Sequence, residues 1–454
     1  LAGRSQHADA QDAYTRAVVS FDQALALAPD LVQAHNNKGL ALQSLGDLLA
    51  GRSQHTEAQD TYSRAVASFD QALVLAPDDI YAHNNKGLAL QSLGDLLAGR
   101  SQHADAQDAY TRAVASFDQA LALAPDDIYA HNNKGLALQS LGDLLAGLSR
   151  HADAQDAYTR AVTSFDQALA LAPDDIGAHN NKGNALRSLG ELLAGRSQHA
   201  DAQDAYTRAV ASYDQALALA PDLVQAHNNK GNALQSLGEL LAGLSQHAGA
   251  QEAYSRAVAS FDQALALAPD YIYAHNNKGN ALRSLGELLA GRSRPTEAQE
   301  AYSRAVAEYG KALEAAPGAA YLHRNRAEAL VLLGRLPLAE ADVEWALLHD
   351  PASPLTRGCL GQLRLAQGRF GEAEAIFEAL VAGGNGDWQG YLALAQLGQR
   401  GIAALATLDG WLPGASASDR AQACRWLDIV RRLVPDAPTI STFRDRLCIQ
   451  APAE

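Results

Sequence analysis

The sequence contains no methionine, and only three of its 454 residues are cysteine. Cys359, Cys424 and Cys448 all lie in the last quarter, without CxxC spacing, so neither a zinc ribbon nor a disulfide framework is expected. Aromatic residues make up 6%, which leaves alanine and leucine to fill any core around sparse aromatic anchors. Basic residues are outnumbered 36 to 51, for a net charge of −15. That balance argues against a nucleic-acid partner and against docking on an anionic membrane, since both need dense Lys/Arg clusters. No apolar run is long enough to span a bilayer. Also missing are GxSxG, GxxxxGK[ST], HExxH and a GxGxxG that follows a strand. The chain therefore reads as no enzyme, with no cofactor and no metal site. Its opening letters, Leu1-Ala2-Gly3-Arg4, recur at Leu49-Ala50-Gly51-Arg52, so it reads as a piece of a longer protein.

What is abundant is repetition. The string HNNKG begins at His35, His83, His131, His179, His227 and His275, at a constant step of 48 residues. Residues 1–48 and 97–144 differ at only four positions, a degree of identity that specifies a tandem array rather than one globular core. Each unit carries two helical stripes. Ala10, Tyr14, Ala17, Val18, Phe21, Ala24, Leu25 and Ala28 recur at helical spacing and stop at Pro29. Ala34, Ala41, Leu42, Leu45, Leu48 and Leu49 form the second stripe, which ends at Gly51, a candidate left-handed C-cap. Thr56 with Gln59, and Thr296 with Gln299, read as capping boxes. Gly39 costs helix propensity and predicts a close helix approach beside Phe21. Lys38 sits on the apolar stripe, so it is expected to find an acidic partner on the neighbouring helix. His35 is expected at that interface too, whereas Asp9, Asp12 and Asp22 read as a solvated face. One helix pair buries too little apolar area to stand alone, and stacking the pairs supplies the rest.

These residues resemble the tetratricopeptide (TPR) family. The resemblance rests on Ala34, Asn37, Gly39, Ala41, Leu42, Leu45 and Gly46, then on Ala17, Phe21, Ala24, Leu25 and Pro29. The family period is about 34 residues. The extra 14 here amount to about four helical turns, so both helices can lengthen in phase. The ordinary spacing appears downstream, from Pro317 to Pro351, with Tyr321, Asn325, Ala327, Leu330, Gly334, Ala339 and Ala346 between them. A further pair is marked by Leu360, Gly361, Gly368, Phe370, Ala373 and Phe377. The resemblance implies an all-α fold, a right-handed superhelical α-solenoid of antiparallel helix pairs. The expected division is seven 48-residue units over 1–336, further degenerate repeats over 337–383, and an irregular helical cap over 384–454. Candidate helices in the cap are Trp388 to Leu397, Ile402 to Leu408, Ala417 to Leu433 and Ser441 to Leu447.

The family lines its concave face with the first helix of each pair, and extended peptides bind there. Carried over, that face presents Asn37, Asn85, Asn133, Asn181, Asn229, Asn277 and Asn325 as a ladder of amides, each able to donate and accept. Two readings stay open for this ladder: contact with a ligand, or bonding between neighbouring repeats. Variable positions on the same face add Tyr81, Tyr129, Tyr273, Arg187 and Arg283 as partner-contacting candidates. The histidines are repeat copies apart from His349, so their number is no metal signal. The function expected is a protein-interaction scaffold that binds a protein or extended peptide, in a bacterial cytoplasm. The alternatives are the sensor arm of a regulatory ATPase-type protein whose effector domain precedes residue 1, and a solenoid that self-associates end to end through its uncapped N-terminus.

Overall fold

The computed structural model describes residues 2–384, 388–400 and 404–415, with 420, 423, 424, 426, 427, 442, 444 and 446–448 beyond them. All of its regular structure is helical. It forms two compact units, Leu1–Pro221 and Asp222–Glu454.

In the first unit the helices are α1 (Ala2–Leu27), α2 (Val32–Gly51), α3 (His55–Leu75), α4 (Ile80–Gly99), α5 (His103–Leu123), α6 (Ile128–Gly147), α7 (His151–Leu171), α8 (Ile176–Gly195) and α9 (His199–Leu219). In the second they are α10 (Val224–Gly243), α11 (His247–Leu267), α12 (Ile272–Gly291), α13 (Pro295–Ala315), α14 (Ala320–Leu332), α15 (Leu336–His349), α16 (Pro354–Ala366), α17 (Phe370–Ala382), α18 (Gln389–Arg400) and α19 (Leu405–Trp411). From α14 to α17 the helices shorten to 13 or 14 residues. Within each unit, every helix packs against the next in sequence. Within each unit the even-numbered helices also touch one another, from α2 to α8 and from α10 to α14. This is an all-α solenoid.

Glycine decides which pairs pack most closely. A Cβ on Gly39 would lie 2.5 Å from the ring of Phe69, and one on Gly46 would lie 2.6 Å from Tyr62. The aromatic beside Gly39 is thus not Phe21 but its copy one unit on, because α2 packs most extensively on the helix that follows it. Gly87 and Phe117, Gly135 and Phe165, and Gly231 and Phe261 repeat the arrangement. Phe69, Phe117, Phe165 and Phe261 are fully buried among Ala65-type and Ala72-type alanines, whose small side chains let the helices approach.

The turns correct two expectations. Gly51 is the last residue of α2, and the left-handed residue is Ser53, at φ 59°. Its N–H donates to Ala50 O while the Gln54 N–H donates to Leu49 O, the two bonds of a Schellman motif. Ser101, Ser149, Ser197, Ser245 and Ser293 repeat this, whereas the short repeats place Gly334 and Gly368 there, both at φ 73°. The expected capping boxes do not form, because α3 and α13 begin earlier, at His55 and Pro295, which puts Thr56 and Thr296 inside the helix. Side-chain caps occur instead at Asp79, Asp127, Asp175 and Ser353.

Cys424 and Cys448 form a disulfide, contrary to the expectation of none. Their 24-residue separation carries no pairing signal; packing brings their Cα atoms to 5.5 Å. Trp388, Trp411 and Trp426 lie around the same core. The expected helices of 384–454 correspond in part to α18 and α19, and most of 417–441 lies outside the described residues.

Candidate functional site

The paired asparagines of HNNKG occupy successive positions on the even-numbered helices from α2 to α12, and the structure joins them across repeats. Asn85 Nδ2 donates to Asn36 Oδ1 at 3.1 Å, and Asn181 Nδ2 to Asn132 Oδ1 at 3.4 Å. In the second unit Asn277 donates to Asn228 at 3.2 Å and Asn325 to Asn276 at 2.9 Å. Each rung therefore runs from the second asparagine of one repeat to the first asparagine of the preceding repeat. Asn36 and its copies, the less prominent of the two in sequence, are the acceptors. The doubling of asparagine in the six HNNKG units was the available signal, since a rung needs a donor column and an acceptor column. Between α4 and α6 the rung is not made. Asn84 Oδ1 is buried without a partner, and the Asn133 amide has none among the described residues.

One turn before the asparagines stand the tyrosines. Tyr81 and Tyr129 are each 76% exposed and Tyr273 is 62% exposed. Tyr273 also packs edge-on against Tyr271. Arg187 and Arg283 are engaged by the protein itself: Arg187 pairs with Glu191, and Arg283 with Glu287 at 2.9 Å and Glu328 at 3.8 Å. Burial works against the Arg187 charge, but Glu191 and Tyr213 beside it outweigh burial and raise its pKa.

Other variation on this face has an internal cause. Where the buried aromatic of the following repeat is tyrosine, the position after the helix glycine becomes asparagine: the Tyr213 hydroxyl donates to Asn184 Oδ1 at 2.7 Å and that of Tyr309 to Asn280 at 2.8 Å. Asn232 is the exception, since Phe261 follows it. Asp47, Asp95 and Asp143 accept from the buried hydroxyls of Tyr62, Tyr110 and Tyr158 at 2.6–2.7 Å. Burial pushes the Asp95 and Asp143 carboxyls above their ordinary range, and the tyrosine hydrogen bonds only partly offset it.

Lys38 pairs with Asp22 at 2.6 Å, and Lys86, Lys134 and Lys182 with Asp70, Asp118 and Asp166 at 2.6–2.7 Å. Asp22 is therefore the lysine's partner, not simply part of a solvated face. His35 Nε2 bonds to Pro29 O at 2.8 Å and so holds the turn between two helices closed.

The regular scheme changes where the short repeats begin. Glu308 takes the place of Ser68, Ser116 and their copies, and its carboxylate meets Lys278 at 2.8 Å, His275 at 2.7 Å and Lys311 at 3.1 Å. In the next repeat Asp342 meets His323 at 2.7 Å and Arg326 at 2.6 Å. Among the described residues no group of three or more His, Cys, Asp and Glu could hold a metal ion. Burial pushes the Cys359 thiol well above its ordinary range, the reverse of what a nucleophile needs. No helix among the described residues is long and apolar enough to cross a membrane.

Family models match two segments: a TPR repeat over residues 202–238 and a tetratricopeptide repeat over residues 285–354. No curated protein matches the sequence. Among solved structures, the chain is similar to a tetratricopeptide repeat protein from Parabacteroides merdae, at 16% identity and a TM-score of 0.41, over 65% of this chain and 92% of that one. It is also similar to a thermophilic TPR protein of Thermus thermophilus, at 22% identity and a TM-score of 0.32, over 54% of this chain and 99% of that one. With family repeats matched in both the long-period and the short-period region, and helices that pack in consecutive pairs, the chain carries tetratricopeptide repeats at residues 202–238 and 285–354, a repeat type that generally mediates protein–protein interaction.

Proposed function

We propose that the chain is a non-enzymatic interaction scaffold that binds an extended segment of a partner protein across the asparagine-bearing face of its even-numbered helices, the concave face of the family. The observation that carries this reading is the exposure of Tyr81 and Tyr129, equivalent positions on two adjacent repeats, one helical turn from the amide column. An aromatic ring left largely in water contributes little to folding, and its recurrence at one place on a face suits it to contact. The amides complement it: a side-chain amide can pair with both polar groups of a peptide unit without selecting side chains. Binding is then multivalent, with modest contributions from several repeats.

The rungs divide the asparagines into two kinds. Asn85 ties α4 to α2, so Asn85→Ala removes the donor of Asn36 Oδ1 and costs about 1 kcal/mol of stability. Asn133 makes no rung, so Asn133→Ala leaves melting unchanged and acts on binding alone. The experiment is to pan a displayed library of linear peptides against the full chain and against its Asn133→Ala variant. Sequences enriched on the wild type and depleted on the variant, with equal melting curves, support the reading. A library that enriches nothing, or that enriches equally on both, refutes it.

A further inference from the structure

We propose that α4 and α6 read arginine in the bound segment, in an Arg-x-x-Arg spacing; this rests on the peptide-binding reading above. Three observations bear on these two helices; the tyrosine pair sets them apart within the first unit, while the carboxylate position recurs as Asp30 and Asp174 in the flanking repeats. The first is Tyr81 and Tyr129, the most exposed of the tyrosines in this column. The same position is Gln33 on α2 and Gly177 on α8, so within the first unit the aromatic pair is confined to α4 and α6. The second is a pair of free carboxylates. Asp78 and Asp126 stand in the turns three residues before the tyrosines, exposed and without a partner among the described residues, while the adjacent Asp79 and Asp127 are occupied as helix caps. The third is the missing rung, which leaves the Asn133 amide uncommitted one turn from Tyr129.

A ring with a carboxylate close by in the chain suits arginine. The guanidinium stacks on the tyrosine face while its N–H edge reaches an acidic oxygen. Lysine, a compact and strongly hydrated charge, gains less from the ring. The chain's net charge of −15 favours a basic segment in general, and these four side chains set where it is read. Spacing follows from the fold. Helices α4 and α6 touch, and packed helices lie about 8–10 Å apart. An extended polyproline-type segment advances about 3.1 Å per residue and returns a side chain to the same side every third residue, after about 9.3 Å. Two arginines three residues apart therefore meet Tyr81 and Tyr129 in turn, and the intervening backbone passes the Asn133 amide.

The test is fluorescence anisotropy with the full chain and a labelled Arg-Pro-Pro-Arg-Pro-Pro peptide. The comparators replace both arginines by lysine, glutamate or alanine, or place the two arginines side by side. The arginine peptide with three-residue spacing is expected to bind tightest. Tyr81→Ala with Tyr129→Ala weakens it about tenfold, and the corresponding phenylalanine pair restores binding, because the ring and not the hydroxyl is used. Asp78→Asn with Asp126→Asn weakens it and flattens its salt dependence. All four positions are on the surface, so unchanged melting separates these effects from misfolding. The proposal is overturned if the alanine peptide binds as tightly as the arginine peptide, or if the double alanine variant binds like wild type. Should the alanine peptide bind equally and lose binding in Asn133→Ala, the scaffold reading stands and the arginine reading falls. If no peptide binds, both fall.

Discussion

Gly87→Ala is the sharpest test of how the array is held together, because two magnitudes of opposite sign compete. In a helix interior, alanine is favoured over glycine by about 1 kcal/mol. In this fold the new Cβ would lie 2.6, 2.7 and 2.9 Å from three ring atoms of Phe117. Carbon atoms prefer about 3.5–4.0 Å, so either the ring or the backbone must retreat by most of an ångström. The ring has nowhere to go, since Phe117 is fully buried. Overpacking of that kind costs about 1–3 kcal/mol and falls on the α4–α5 interface, one of the most extensive in the molecule. The net expectation is destabilisation of about 0–2 kcal/mol, in place of the stabilisation that propensity alone would give. A double-mutant cycle with Phe117→Leu isolates the contact. The smaller side chain costs stability alone, yet it makes room for the methyl group, so the double variant should be less destabilised than the sum of the singles by about 1–2 kcal/mol. Guanidinium denaturation followed by circular dichroism on the four proteins is sufficient. If Gly87→Ala stabilises by about 1 kcal/mol with no coupling, propensity alone is at work and close approach is not why glycine stands there.

Three further expectations follow from the same geometry. Burial opposes the Glu308 charge, but hydrogen bonds from Lys278, His275 and Lys311 outweigh it and hold the carboxyl below its ordinary range. Its contribution is therefore present above about pH 4.5 and lost as pH falls through the lowered value; Glu308→Gln should cost about 1–3 kcal/mol at neutral pH and flatten that part of the acid transition, and an unchanged acid profile would refute the pairing. Ser101 pays about 1–2 kcal/mol for its left-handed backbone, which glycine avoids at the cost of about 0.5–1 kcal/mol of chain entropy; Ser101→Gly should raise the denaturation midpoint slightly, and a fall would mean that the serine is held there by something besides the turn. Reducing the Cys424–Cys448 bond reopens a 24-residue separation, which costs about 3.5 kcal/mol by chain entropy; tryptophan fluorescence reads the second unit, where every tryptophan lies, and a midpoint indifferent to reductant would sink this expectation.

The sequence by itself determined the repeat, the two helices in each unit and the need for a partner at Lys38. These follow from local rules: a 48-residue recurrence, apolar spacing near 3.6, and proline as a terminator. It also singled out asparagine and tyrosine as the columns of interest, because a surface that keeps or varies residues in register is visible in a tandem array. Tertiary structure decided what each column touches. That Gly39 admits Phe69 and not Phe21 depends on which neighbour packs closest, and both are aromatics at the same place in the repeat. That Asn85 is a rung while Asn133 is not depends on small offsets between copies of the same five letters. Arg187 and Arg283, which looked outward in sequence, are drawn into pairs by Glu191 and Glu287 one turn along the same helix. The disulfide lay further still from view, because two cysteines 24 residues apart meet only where a chain fold returns on itself. Periodicity fixes the face on which a side chain lies; its partner is set by the distance between helices, and that distance is the sum of every side chain packed between them.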